Sequence, residues 1–174
     1  MKICIDPGHG GRDPGALANG IAEKTITLEV SLLLEWELEK RRHWAALTRR
    51  EDAFVALAER ADFANVRSAD AFVSIHCNSS ESAEAQGIEI YHFPQAAASQ
   101  TLAMRVMQNL AAALPDHRNR GVKTARFVVL RDTQMASILV ELEFLTHPQQ
   151  AEFLRSRSGQ QQLAAAIANG IGAA

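Results

Sequence analysis

Short apolar runs alternate with longer amphipathic stretches along this chain, and polar residues end or interrupt the apolar runs. Ile3-Cys4-Ile5 leads into Asp6-Pro7-Gly8-His9-Gly10-Gly11, Ala71-Phe72-Val73-Ser74-Ile75 closes at His76, and Ser137-Ile138-Leu139-Val140 is interrupted by Glu141. Such runs read as buried strands, while the segments between them carry the helical period. Residues 25–42 place Ile26, Val30, Leu33 and Leu34 on one stripe. Residues 53–66 do the same with Phe54, Leu57, Ala58 and Ala61, and Asp52 is a plausible N-cap. A third helix is expected over 99–114, stopped by Pro115. Residues 45–48, 88–92 and 126–130 add strand candidates, and 78–86 and 116–121 read as a polar loop and a charged turn. Pro148 opens a short helix, and an alanine-rich helix spans 160–171. This order predicts an α/β fold, a mostly parallel central sheet with helices on both faces, as one domain over residues 1–174.

Composition removes several function classes. A chain of 174 residues can bury one sizeable core. A formal net charge of −2 does not suit a nucleic-acid-coating surface, and no apolar stretch is long enough to cross a bilayer. Neither nucleic acid nor membrane is therefore expected as a partner, and a monomer is expected. Met1-Lys2 leads directly into the first strand, without the extended apolar segment of a signal peptide. Cys4 and Cys77 are too few for a disulfide scaffold and read as buried thiols. Cys77 follows His76 on an extended segment, so the two side chains should point to opposite faces.

The polar residues at the strand ends carry the chemistry. Carboxyl ends of parallel strands gather along one edge of an open α/β sheet, where ligands bind. His9, Glu23 and His76 could there collect a zinc ion, and two histidines with one carboxylate leave a fourth position for water. Each residue also has a plainer reading. His9 could stabilise its turn, Glu23 could favour the positive end of the following helix, and His76 could be a buried histidine satisfied by backbone. Glu141 could sit on an exposed edge, although a carboxylate among Ile138, Leu139, Val140 and Leu142 is costly to bury without a partner. The loop 6–11 matches neither phosphate-cradling glycine pattern.

Taken together, these residues resemble the zinc-dependent N-acetylmuramoyl-L-alanine amidases, which cut bacterial peptidoglycan. The resemblance runs from Ile5-Asp6-Pro7-Gly8-His9-Gly10-Gly11 and Glu23-Lys24 through Leu47-Thr48-Arg49, Leu57-Ala58-Glu59-Arg60 and Ala64-Asn65. It continues through Ser74-Ile75-His76-Cys77-Asn78, Gly87-Ile88-Glu89, Arg120-Gly121-Val122-Lys123 and Leu139-Val140-Glu141. It implies one zinc ion on His9, Glu23 and His76, Glu141 as the catalytic glutamate, and a sheet of about six strands. The bond it implies joins the lactyl group of N-acetylmuramic acid to the L-alanine of the stem peptide. Asn78 is a plausible substrate contact.

Three positions depart from that family's pattern. Glu143 and His147 stand where a small residue and an asparagine are common. On a regular strand Glu143 would share a face with Glu141 and raise its pKa, with His147 as the partner that moderates it. Ala136 replaces a common proline. His43, His92 and His117 read as surface residues. Two other functions compete: a peptidoglycan-binding or regulatory relative that does not cut, and a zinc hydrolase acting on another amide. The expected place of action is the cell wall, as a phage lysis enzyme or an excised domain of a secreted autolysin.

Overall fold

The computed structural model describes residues 1–172. In chain order the elements are β1 (Lys2–Pro7), β2 (Leu17–Ala18), β3 (Ile21–Ala22), α1 (Glu23–Lys40), β4 (Trp44–Leu47), α2 (Leu57–Val66), β5 (Ala71–Asn78) and β6 (Ile88–His92). They continue with α3 (Ala97–Ala113), β7 (Asn119–Thr124), α4 (Val128–Arg131), β8 (Ala136–Phe144), α5 (Pro148–Arg155) and α6 (Arg157–Gly172). Six strands form one sheet in the order β4-β1-β5-β8-β6-β7, and β2 and β3 make a separate small hairpin. All neighbours in the large sheet run parallel except β8 and β6. The α/β expectation therefore holds, with six strands in the sheet and helices on both faces.

Alternation along the strands divides the core. Ile3, Ile5, Val73, Ile75, Ile138 and Val140 face the larger cluster, which α1, α3 and α6 cover with Ile26, Val30, Leu34, Val106 and Ile167. Cys4, Phe72 and Leu139 face the smaller cluster, shared with Ala64 of α2 and Val129 of α4. Asp6, Ser74, His76 and Glu141 belong by register to that second face, so the thinner layer carries the polar chemistry. Cys77 packs into the larger cluster, as the alternation predicts.

Several local expectations give way to tertiary context. Residues 126–130 form no strand: Val128–Arg131 is a short helix, and the sixth strand of the sheet, β7, lies partly in the stretch read as a charged turn. Edge position explains the difference, because only one side of β7 pairs, with β6. Helix α2 begins at Leu57 rather than Ala53, and Glu59 closes its first turn by accepting from the Ala56 N–H at 3.0 Å. Asp52 caps no helix; it accepts from Gly11 N and Lys24 Nζ. The face of α2 that turns inward is Arg60, Ala61 and Ala64, while Leu57 and Phe54 stay exposed. A buried arginine is tolerable there because Asp6 meets it at 2.9 Å and Thr48 and Ser74 donate to the same carboxylate.

Helices α3 and α6 meet at Gly170, where an added Cβ would lie 2.5 Å from the Val106 Cα. We expect Gly170→Ala to cost about 1–3 kcal/mol by overpacking, read as a lower urea midpoint. An unchanged midpoint would mean that the two helices separate freely.

Candidate active site

The first wall of the site is the loop that leaves β1. His9 adopts φ 61° and Gly10 φ 124°, so a non-glycine residue sits in the left-handed region, at a cost of roughly 1–2 kcal/mol. Surrounding bonds hold it there. Arg60 Nη2 donates to the His9 carbonyl at 2.7 Å, and Gly8 N donates to the Ile75 carbonyl at 2.9 Å. The His9 Nδ1 side faces Asp13 Oδ2 at 2.9 Å, which leaves Nε2 aimed at Glu23 Oε2, 3.1 Å away. A carboxylate on the far nitrogen is the usual means of orienting a metal-binding imidazole.

Glu23 opens α1 and is 4% exposed. Its Oε1 accepts from Cys77 N at 2.9 Å and faces His76 Nδ1 at 3.0 Å, while Oε2 accepts from Ala16 N at 2.9 Å. Burial works against its charge, but the bonds to His76 and His9 outweigh that and hold the carboxyl well below the usual range. One donor atom from each of His9, Glu23 and His76 lies within 4.8 Å of the others. Ligand atoms around a tetrahedral zinc stand roughly 3.3 Å apart, close to the two histidine–carboxylate separations. The cradle also depends on missing side chains: a Cβ on Gly8 would lie 2.4 Å from the His76 ring, and one on Gly15 would lie 2.6 Å from Glu23 Oε2. The donor set and its spacing could hold a metal ion.

Arg49 joins the two segments that bring His9 and Glu23 together. It is 4% exposed, and its Nη2 donates to the Gly8 carbonyl at 2.8 Å and to the Lys24 carbonyl at 2.9 Å. Those carbonyls belong to the residue before His9 and the residue after Glu23. Thr27 Oγ1 donates to the same Gly8 carbonyl at 2.8 Å.

Glu141 stands beside His76 in the β5–β8 register and opposite Glu89 in the β6–β8 register. Its Oε2 is enclosed and has no hydrogen-bond partner among the described residues. Burial pushes its pKa up to about 7; the charges of Glu23 and Glu89 add to the rise, and His76 opposes it. Glu89 behaves oppositely. Although burial opposes its charge, Lys123, Arg120, Tyr91 and Asn78 all donate to it and hold it down at about 2. The Asn78 amide donates to Glu89 Oε1 at 2.7 Å, as does the Tyr91 hydroxyl at 2.8 Å, and Arg120 Nε reaches Oε2 at 2.7 Å. In front of Glu141, His9 and His76 opens a cleft of about 650 Å³, walled in part by Phe54, Leu57 and Phe127.

Glu143 pairs otherwise than expected. Its partner is His117, at 3.0 Å, not His147, which instead accepts from Gln150 N at the start of α5. Glu143 is fully buried and also accepts from Gly87 N and Phe144 N. A register shift between β5 and β8 just past His76 interrupts the regular alternation on which the shared-face argument rested. His117 is thus no free surface residue, and His92, 5% exposed, is buried with Nδ1 facing the Phe93 carbonyl. Asp13, Arg49, Arg60 and Glu89 were given no role from sequence. Arg49, Arg60 and Glu89 nevertheless lie in motifs that carry the family resemblance, which is where a signal for them stood.

Two outcomes follow from this geometry. In the metal-free protein, a carboxyl that ionises near 7 when folded and near 4.5 when unfolded keeps its proton more tightly in the native state. Its contribution to stability is present below pH 4.5 and is lost as pH rises to about 7. We expect metal-free Glu141→Gln to exceed the parent by about 2 kcal/mol at pH 8 and to match it at pH 4 in urea titrations; a gap independent of pH would contradict this. We also expect Arg49→Lys, which keeps the charge but loses the planar fork, to weaken metal affinity about 10–100-fold in a chelator competition. Unchanged affinity would mean that the ligand loops hold their spacing without it.

Comparison with known proteins places these features in a wider group. The N-acetylmuramoyl-L-alanine amidase family matches residues 3–173. The chain is 39% identical over 170 residues to N-acetylmuramoyl-L-alanine amidase LytC of Bacillus subtilis (strain 168), covering 97% of this chain and 34% of LytC. It is 39% identical over 173 residues to the sporulation-specific N-acetylmuramoyl-L-alanine amidase of the same organism, covering 98% of this chain and 67% of that protein. The solved structure of N-acetylmuramoyl-L-alanine amidase AmiC2 of Nostoc punctiforme superposes with a TM-score of 0.94 at 39% identity, covering 98% of this chain and 94% of that one. The chain spans about a third of LytC and about two thirds of the sporulation-specific enzyme. Sequence and fold agree along nearly its whole length: the chain belongs to the N-acetylmuramoyl-L-alanine amidase family.

Proposed function

We propose that this chain is a monomeric, zinc-dependent catalytic domain that acts on the bacterial cell wall. It hydrolyses the amide between N-acetylmuramic acid and the L-alanine of the stem peptide in peptidoglycan. The observation that carries the reading is the orphaned, enclosed Oε2 of Glu141, set beside the converging His9, Glu23 and His76. Those three residues would hold the ion. Two imidazoles and one carboxylate suit zinc and leave its position for water open. Zinc bound there would supply a Lewis acid that acidifies water and polarises the scissile carbonyl.

The remaining work falls to the protein. Glu141 takes a proton from the attacking water as the new C–O bond forms, then returns it to the alanine nitrogen as the C–N bond breaks. A carboxyl whose pKa lies near 7 can both accept and release a proton at neutral pH. Asp13 keeps the His9 ring turned toward Glu23, and Arg49 keeps the two ligand loops at their spacing. Asn78 acts on the site through Glu89, to which its amide is committed. Glu143 ties the residue before β6 and the stretch after α3 to β8, since its oxygens are taken by His117, Gly87 and Phe144.

Purified cell-wall sacculi provide the test. We expect the zinc-loaded protein to release stem peptides with a free alanine amino terminus, and a chelator to stop that release. Glu141→Gln should bind one zinc per chain yet lose about 10²–10⁴-fold in kcat. Binding to sacculi without cleavage by the parent would favour a wall-binding module, and a different product terminus would favour another amide substrate.

A further inference from the structure

The charged residues that line the cleft are spent on the protein itself, with one exception beyond Glu141; outside the lining, Arg12 rests 4.2 Å from the centre of the Phe54 ring. Asp6 and Arg60 pair with each other, Asp13 orients His9, and His9 and His76 turn to Glu23. The exception is Arg126, an exposed side chain between β7 and α4 that lines the same cleft. Among the described residues it makes no hydrogen bond and no ion pair; its guanidinium rests 5.6 Å from the centre of the Phe93 ring. That contact restrains the side chain while leaving its N–H groups unclaimed.

The surroundings make this cation selective. Phe54, Leu57 and Phe127 are 44%, 55% and 40% exposed, so the cleft presents apolar walls around Arg126, the one guanidinium among its described lining residues without a hydrogen bond or ion pair. Low-polarity walls strengthen a charge-assisted bond to an entering anion, and a guanidinium fork matches a carboxylate with two parallel bonds. Glu141 and Arg126 line one cavity of about 650 Å³. Such a volume is roughly 9 Å across, the span of two or three extended residues at about 3.3–3.6 Å each. A peptide whose scissile amide sits at Glu141 therefore has at most about two or three residues within the cavity that Arg126 also lines.

We propose that Arg126 receives a free carboxylate on the departing peptide, within about two residues of the cleaved bond, and so selects acidic over amidated peptides. This rests on the amidase reading above and adds to it a residue that determines specificity. The walls take the methyl groups near the scissile bond, and the guanidinium takes the charge.

The experiment uses two soluble N-acetylmuramoyl-alanyl peptides that differ only in the second residue, whose carboxyl is either free or a primary amide. With the zinc-loaded protein we expect the acid to be cut with a kcat/KM roughly 10–100-fold above the amide. Arg126→Met should bring that ratio near one by raising KM for the acid, with kcat kept and the melting temperature unchanged. Arg126→Lys should recover part of the ratio, as a charge without the planar fork. Equal cleavage of acid and amide by the parent, or a ratio that survives in Arg126→Met, would overturn the assignment while leaving the amidase activity in place. Cleavage of neither peptide would remove the amidase reading itself, and this inference with it.

Discussion

The site depends on one buried carboxylate, Glu23, toward which two histidines from different strand ends are turned. His9 and His76 approach it from either side at 3.1 and 3.0 Å, and Ala16 N and Cys77 N donate to its two oxygens. A carboxylate 4% exposed is tolerated only when its charge is met, and this one is met on every side. The backbone around it is held with equal economy. His9 occupies a strained conformation that Arg60 stabilises through its carbonyl, and Arg49 binds the backbone on both sides of the ligand pair. Preorganised spacing of this kind would let three side chains collect one ion without rearrangement.

Beside that cradle, two neighbouring carboxylates differ in proton affinity because their donors differ. Glu89 has four side chains donating to it and ionises at about 2, whereas Glu141 has an enclosed oxygen with no donor and ionises at about 7. The two stand opposite one another on antiparallel strands. Environment thus separates the two, one a fixed anion that organises Arg120 and Lys123, the other a carboxyl whose proton is held to near neutral pH, as the proposed role in proton transfer requires. The negative charge of Glu89 in turn helps to raise Glu141, so the polar network and the reactive group are one electrostatic unit.

Helix α2 illustrates how the cleft is bought at the expense of an ordinary amphipathic helix. Its first residue, Leu57, and Phe54 just before it face the cleft instead of the core, and its buried stripe is Arg60 with two alanines. The arginine fits because Asp6 lies at the end of β1 on the same face of the sheet. One substitution in the helical pattern therefore links three things: the strand that precedes the ligand loop, the carbonyl of His9, and the apolar wall presented to substrate.

Local pattern by itself determined a good deal. The stripe Ile26, Val30, Leu33 and Leu34 specified α1, strand alternation put Cys77 opposite His76, and polar residues after apolar runs marked the edge where His9, Glu23 and His76 meet. These features are carried by the two short periods of side-chain direction, which depend on near neighbours alone. What only the tertiary structure decided was pairing between residues far apart in the chain. Glu143 takes His117 rather than His147 because a register shift after His76 redirects it, and 119–124 becomes a strand because β6 offers an edge. Likewise, nothing local distinguishes Glu89, with its four donors, from Glu141, with its orphaned oxygen, or Arg126 from the arginines already spent. Charge in a fold is assigned by proximity and burial, and both are properties of the closed sheet rather than of the string of residues.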